Sequence, residues 1–217
     1  MVDAMKEIIG KFISFEKELD NNKMVVKEKF ACIHHPVEHS LLKVQRELNR
    51  IEPTVLDFYE IANGIEVKWH PTNPALLERD IVGRIKVNSF SQTVRDWSGV
   101  VFFEHHPADS PQRKFFPMDF FADEAAAGFC TKEGWRKMIY LYKFEGDLIP
   151  LHVTLESYLS LMLQAKGCYY WQYLILEMLQ QEENEMSVRI KQYLPSLFPD
   201  FSFAMFEKSF NETRIKQ

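Results

Sequence analysis

The chain has few cysteines, no excess of positive charge and no long uninterrupted apolar run, and each shortage removes a class of protein. Cys32, Cys130 and Cys168 are the only three cysteines in 217 residues, and no two of them form a Cys-x-x-Cys pair. An odd, scattered set builds neither a disulfide framework nor a zinc site, and suits reduced thiols in a cytoplasmic protein. Lys and Arg number 26 against 31 Asp and Glu, a formal net charge of −5. A general nucleic-acid binder carries a basic stripe that displaces counterions from phosphate, so direct nucleic-acid binding is not expected. A mild acidic excess suits a cytoplasmic protein or one that meets a basic partner. The start, MVDAMKEIIGKF, lacks a basic segment followed by an apolar one, so no secretion signal is expected. The most apolar stretch, from Tyr158 to Leu179, is broken by Gln164, Lys166, Gln172 and Glu177, which argues against a membrane span. Neither an internal repeat nor a low-complexity tract is present.

What the chain does have is core material. Hydrophobic residues make up 46%, with 18 Phe among them, which excludes wholesale disorder. The length suits one domain with extensions. From Val2 to Leu19, Ile8, Phe12, Phe15 and Leu19 form one helical stripe, with Asp-Asn-Asn as a stop. The stretch from Lys23 to Ile33 fits a strand or a helix. Between Pro36 and Asn49, Leu41, Val44 and Leu48 suggest a second helix. Pro53 and Thr54 open another, with Val55, Phe58, Tyr59 and Ala62 on one face. Asn63-Gly64 follows, where a left-handed helix stop costs glycine least. Directly after it the period changes to two: Ile65, Val67 and Trp69 alternate with Glu66, Lys68 and His70.

Further strands are expected within 79–90, 114–121, 125–130 and 136–144, with a loop over 104–114. Thr154 is a fair N-cap for a helix whose Leu155, Tyr158, Leu159 and Met162 share a face. Gly167 interrupts that pattern, and Trp171, Leu174, Ile175 and Met178 resume it. Helices, then strands, then helices indicate an α+β fold, an antiparallel sheet packed against helices.

Read in order, the stretch DFYEIANGIEVKW, the later GRIKVNSF and FPMDF, and the closing VTLESYLSLMLQAKGCYYWQ resemble the SUKH superfamily. That superfamily includes Smi/Knr-type regulators of yeast cell-wall synthesis and many bacterial immunity proteins. The matching positions are Pro53, Phe58, Tyr59, Asn63, Gly64, Trp69, Asp119, Tyr158, Leu159, Gly167 and Trp171, and the match covers roughly Val37 to Glu177. Glu52 departs from the leucine usual before the proline, and ADEAAAGF replaces the acidic, glycine-rich turn of the middle strands. The resemblance implies a SUKH-like domain over 37–181, a helical extension over 1–36, and a C-terminal extension over 182–217 packed on the domain. It also implies a non-catalytic protein-binding role. The most concrete version is an immunity protein that neutralises a cognate toxin, possibly a nuclease. The alternative within that class is a regulator or scaffold of cell-wall synthesis.

Motifs for chemistry are few. There is no phosphate-cradling glycine motif, no nucleophile elbow and no papain-like cysteine motif. His35 and His39 fall four apart, and His34, His105 and His106 could join them, but zinc requires three or four converging ligands, so surface or loop histidines are the better reading. Asp119, Asp123 and Glu124 read as solvated turn carboxylates, although the resemblance allows the fold to fix Asp119. An enzyme site would need His105, His106 and Asp119 to converge. The aromatics around Trp171 read as core, since base-stacking platforms come with Lys and Arg flanks. Phe203, Phe206 and Phe210 form a small apolar stripe that packs back on the domain or docks a partner. Glu182, Glu183 and Glu185 are the candidate contacts for a basic partner. No cofactor or metal is expected.

Overall fold

A computed structural model of the chain describes residues 2–32, 37, 51–132, 138–144 and 146–216. The helix expected from Pro36 to Asn49, with His34, His35 and His39, lies outside the described residues.

Helix α1 (Val2–Asn21) comes first, followed by strand β1 (Val25–Cys32), α2 (Pro53–Tyr59) and β2 (Ile65–Pro71). Short helix α3 (Pro74–Leu77), β3 (Gly83–Val87) and short helix α4 (Phe90–Thr93) continue the chain. Strands β4 (Phe115–Asp119), β5 (Ala125–Cys130), β6 (Ile139–Lys143) and β7 (Leu148–Pro150) then precede α5 (Leu155–Gln164), α6 (Gln172–Gln180), α7 (Glu185–Leu197) and α8 (Phe203–Thr213). The seven strands form one antiparallel sheet in sequence order, a meander from β1 to β7. The N-terminal segment, expected to add a helix, also supplies the edge strand β1.

Alternation in β2 is as the sequence suggests: Ile65, Val67 and Trp69 are buried, while Glu66, Lys68 and His70 keep partial exposure. A strand buried on one face and wet on the other requires that period. Farther along the sheet both faces are covered. Ala125, Ala127 and Phe129 of β5 and Ile139 and Leu141 of β6 face the main core beneath the helices. Ala126, Cys130, Tyr140 and Tyr142 face a second, smaller core closed by Trp97, Val101 and Phe115. This explains why β5 reads as a continuous apolar run.

The stripes of α1 and α5 are both buried, with Phe12, Tyr158, Leu159 and Met162 each at most 2% exposed. In helix α2 burial extends beyond the expected face to every residue from Val55 to Tyr59, Asp57 included, while Pro53 at its start stays exposed. Glu52 caps this helix by accepting hydrogen bonds from the Thr54 N–H and hydroxyl, both at 2.7 Å. The tail docks: Phe206 and Phe210 are fully buried, and the Phe206 ring meets Trp171 edge-on at 6.2 Å between centroids. Burying a side chain of that size contributes about 1.5–3 kcal/mol.

The Asn63-Gly64 pair forms a corner that joins two parts of the chain. Helix α2 ends at Tyr59, three residues earlier than a direct glycine stop at Gly64 would place it. Gly64 takes φ +108°, and a Cβ there would lie 3.0 Å from the Val87 carbonyl oxygen. The Asn63 side-chain oxygen accepts from the Phe90 N–H at 2.8 Å, so the corner caps the start of α4 across 27 residues. Gly167 is tighter, with φ +59° and a Cβ position that overlaps Ile85.

Two alanine substitutions separate these constraints. Gly167→Ala is expected to destabilise by about 2 kcal/mol or more, from left-handed backbone strain plus the clash with Ile85. Gly10→Ala, inside α1 with no atom within 4 Å of the new methyl, is expected to stabilise by about 0.5–1 kcal/mol. Urea unfolding midpoints with unchanged slopes check both signs.

Candidate functional site

The sheet has one thin seam. Strands β3 and β4 are paired through a single register contact, Val87 opposite Asp119, because 27 residues leave the sheet between them. Backbone bonds flank it, from Asn88 N–H to the Met118 carbonyl at 2.7 Å and from Phe120 N–H to the Lys86 carbonyl at 2.9 Å. Asp119 fills this seam. It is 2% exposed, so it is not the solvated turn carboxylate expected from its sequence context. Asp123 and Glu124 are exposed, as that reading requires.

Around Asp119 the donors converge. The Tyr158 hydroxyl of α5 donates to Oδ2 at 2.6 Å, Gln172 Nε2 of α6 donates to the same oxygen at 3.2 Å, and Lys86 N–H donates to Oδ1 at 3.4 Å. Gln172 also donates to the Tyr158 oxygen at 2.8 Å, which closes the cluster. Burial pushes the Asp119 carboxyl up to about 6, against the opposing pull of these donors and the Arg84 charge. Burial and the neighbouring Asp119 together push the Tyr158 hydroxyl well above its ordinary range. The cavity beside Asp119 measures about 10 Å³, room for one water at most.

Other resemblance residues surround a second joint, at the turn between α5 and α6. Trp69 of β2 donates its indole N–H to the Lys166 carbonyl at 2.8 Å. Arg84 N–H donates to the Gly167 carbonyl at 2.8 Å, and Tyr169 N–H to that of Val82 at 2.7 Å, which ties this turn to β3. Trp171 packs on Tyr158, with 4.9 Å between ring centroids. Trp69, Gly167, Trp171, Tyr158 and Asp119 therefore belong to one connected framework. Pro53, Phe58, Tyr59, Asn63 and Gly64 support it from α2 and its corner. Tyr59 hydrogen-bonds Thr93 at 2.7 Å and the Asn88 carbonyl at 3.1 Å.

Lys166, which marks the Tyr158–Leu179 stretch as too polar for a membrane span, sits in this turn with φ +55° and a side chain only 7% exposed. Its ammonium holds Glu18 of α1 at 2.7 Å and Asp200 of the α7–α8 link at 2.6 Å. Phe15 and Phe198 flank it, with the nitrogen 5.9 and 5.4 Å from their ring centroids. Sequence inspection alone misses Lys166, Glu18 and Asp200 as a set, since Lys166 pairs across 148 and 34 positions, and it misses Gln172 as a donor to Asp119 across 53.

His105 and His106 lie in the loop after Phe103, both stacked on that ring and tilted against each other with 4.4 Å between centroids. His106 Nδ1 accepts from Phe103 N–H at 2.9 Å, and Arg113 donates to the His106 carbonyl at 2.8 Å. Neither histidine is among the groups that touch Asp119, so the three residues of the enzyme reading do not form one site. No cluster of three metal-ligating side chains occurs among the described residues. Cys130 and Cys168 are free and buried, and burial pushes the Cys168 thiol up to about 12, away from nucleophilic use. No helix among the described residues is long and apolar enough to cross a membrane.

The candidate acids flank the link between α6 and α7. Glu182 is exposed, Glu183 pairs with Lys191 at 2.6 Å, and Glu185 pairs with Arg189. Lys191 also holds Glu177 at 2.8 Å, so most of this negative charge is met within the chain.

A larger concave surface lies between α1, α5 and α8. One groove of about 520 Å³ has Ser14, Ser160 and Ser202 on its walls and Lys166 at its base. A second of about 290 Å³ continues it between α5 and α8, sharing Ser160, Gln164 and Ser209. No family model, curated protein or solved structure matches the chain.

The raised Asp119 carboxyl has a consequence for stability. The folded state holds this proton more tightly than the unfolded chain does, so stability falls as pH rises from 3.8 towards about 6. In Asp119→Asn this component of the pH dependence is expected to vanish. Asp119→Ala is expected to cost roughly 3 kcal/mol at neutral pH, from stranding the Tyr158 hydroxyl and the Gln172 amide. Urea titrations of the three proteins across that pH range check both effects.

Proposed function

We propose that this protein is a non-catalytic protein-binding domain, and in its most concrete form an immunity protein of SUKH type. It binds a cognate toxin and blocks the toxin's active site or the approach of its substrate. The observation that carries this reading is the closure of Asp119. The carboxyl with the perturbed proton affinity, ordinarily the first candidate for acid–base chemistry, is sealed by Tyr158, Gln172 and backbone beside a space of about 10 Å³. Its chemistry is used to hold the sheet to the helices, and what remains for function is the surface.

Two further features support the reading. The ordered set from Pro53 to Trp171 resembles the SUKH proteins, and its members form the framework of this fold rather than a reaction centre. The chain carries a formal charge of −5, which suits a basic partner such as a nuclease, where carboxylates stand in for phosphates. Binding of this kind works by steric cover and charge complementarity and requires no cofactor.

A tagged full-length chain, expressed at native level in its source organism and purified gently, is expected to bring down one protein at near-equal amount. Adding the purified chain to that protein is expected to abolish the latter's toxic activity. Repeated recovery of nothing, under conditions where contact-dependent toxin systems are expressed, overturns the immunity reading. So does an enzymatic turnover by the chain itself that is lost in His105→Ala.

A further inference from the structure

The acids at the α6–α7 link are largely neutralised by Lys191 and Arg189, so a basic partner needs another seat. We infer that the continuous groove between α1, α5 and α8 receives an extended, lysine- or arginine-bearing segment of a partner protein. The inference rests on the protein-binding reading and names the surface and the chemistry of what it binds.

Shape comes first. The two grooves share Ser160, Gln164 and Ser209, so they form one channel with α5 as its floor and α8 as a wall, and α1 closes the far side of the larger part. The volumes of about 520 and 290 Å³ suit a run of side chains rather than a single small group. The walls offer serine hydroxyls and the Gln164 amide, which match the backbone groups of an extended chain. Met205, 66% exposed at the larger groove, offers an apolar surface for an aliphatic stem.

Charge then selects the occupant. Glu18 and Asp200 lie at one end, and Glu156 and Glu212 at the other. Lys166 is pinned beneath Glu18 and Asp200 with little of its side chain exposed, so its charge is met in place. Lys11 meets Glu7 at 2.8 Å in an exposed pair within one turn of α1 and is the one loosely held cation among the groove's described lining residues. Asp200 keeps 65% of its side chain exposed and Glu212 keeps 64%, so both remain open to a second cation. Lys208 lies 3.8 Å from Glu212 within one turn of helix, both ends exposed, an arrangement that holds its partner only weakly. A cationic segment lying along the channel meets carboxylates at both ends without displacing Lys166. An anionic segment meets like charge at each.

Lys166 is what fixes the channel's shape. By holding α1 through Glu18 and the α7–α8 link through Asp200, it sets the separation of the walls. The groove is thus a built feature of the fold, with its wall spacing set by buried electrostatics.

The probe is a fluorescein-labelled peptide of alternating lysine and serine, roughly ten residues long at about 3.3 Å per extended residue. It is titrated by anisotropy with the full chain at moderate salt. Saturable binding is expected, weakened about tenfold or more in Glu156→Gln/Glu212→Gln. Glu78→Gln/Asp109→Asn, which removes the same charge from exposed sites elsewhere, is expected to stay within about twofold of wild type. Circular dichroism melts verify that both double variants are folded. An equal loss in both variants, no saturable binding to wild type, or equal binding of a glutamate–serine peptide overturns the inference. Co-purification tests the protein-binding reading separately. A captured partner whose complex is indifferent to Glu156→Gln/Glu212→Gln sinks the groove and leaves that reading standing.

Discussion

The hydrogen-bonded carboxyl of Asp119 is the constraint on which the rest of this structure depends. A seven-stranded meander divides in the middle, because β3 and β4 meet at one residue pair while a long excursion leaves between them. A weak seam in a sheet is stabilised only by something that reaches both sides of it. Asp119 stands on β4, accepts from the Lys86 N–H of β3, and extends its other oxygen to α5 and α6 through Tyr158 and Gln172. Sheet and helix layer are thereby locked in one register. The cost is a desolvated carboxyl, which answers by holding its proton more tightly.

Lys166 plays the matching part at the other end of α5. It uses its carbonyl to accept from Trp69 and its ammonium to hold α1 and the α7–α8 link. Aromatic faces from Phe15 and Phe198 surround that ammonium, where cation–π attraction adds to the ion pairs. Asp119 thus pins α5 and α6 to the sheet, and Lys166 ties in α1 and the α7–α8 link. Neither terminal segment is an appendage: β1 pairs with β2 along its length, and Phe198 packs on Trp69 with 5.0 Å between centroids. A fold that commits its interior charges to architecture leaves its outer faces open, and α1, α5 and α8 frame a groove of about 520 Å³ there.

Much of the architecture was legible in the chain. The 3.6-residue stripes of α1, α2 and α5, the two-residue alternation of β2, the Thr154 cap and the Asn63-Gly64 corner are local signals, and local sterics and burial enforce them. Asn63 illustrates where local reading ends. That a turn occurs there follows from the dipeptide, but that its side chain caps α4 depends on β3 bringing Phe90 back beside it. The same holds for the aromatics around Trp171, whose core role follows from composition while their partners Tyr158 and Phe206 do not.

The sequence by itself determined the α+β class, the antiparallel sheet, the positions of most helices and strands, and an apolar content sufficient for a core. Only the tertiary structure decided that Asp119 is buried rather than solvated, that His105 and His106 stand apart from it, and that Lys166 clamps two distant segments. The physical reason is range. Periodicity and capping act over a few residues and are written in adjacent positions. A carboxyl's surroundings are set by a backbone N–H and two side chains that arrive from 33, 39 and 53 positions away, and no local pattern encodes which of them will meet.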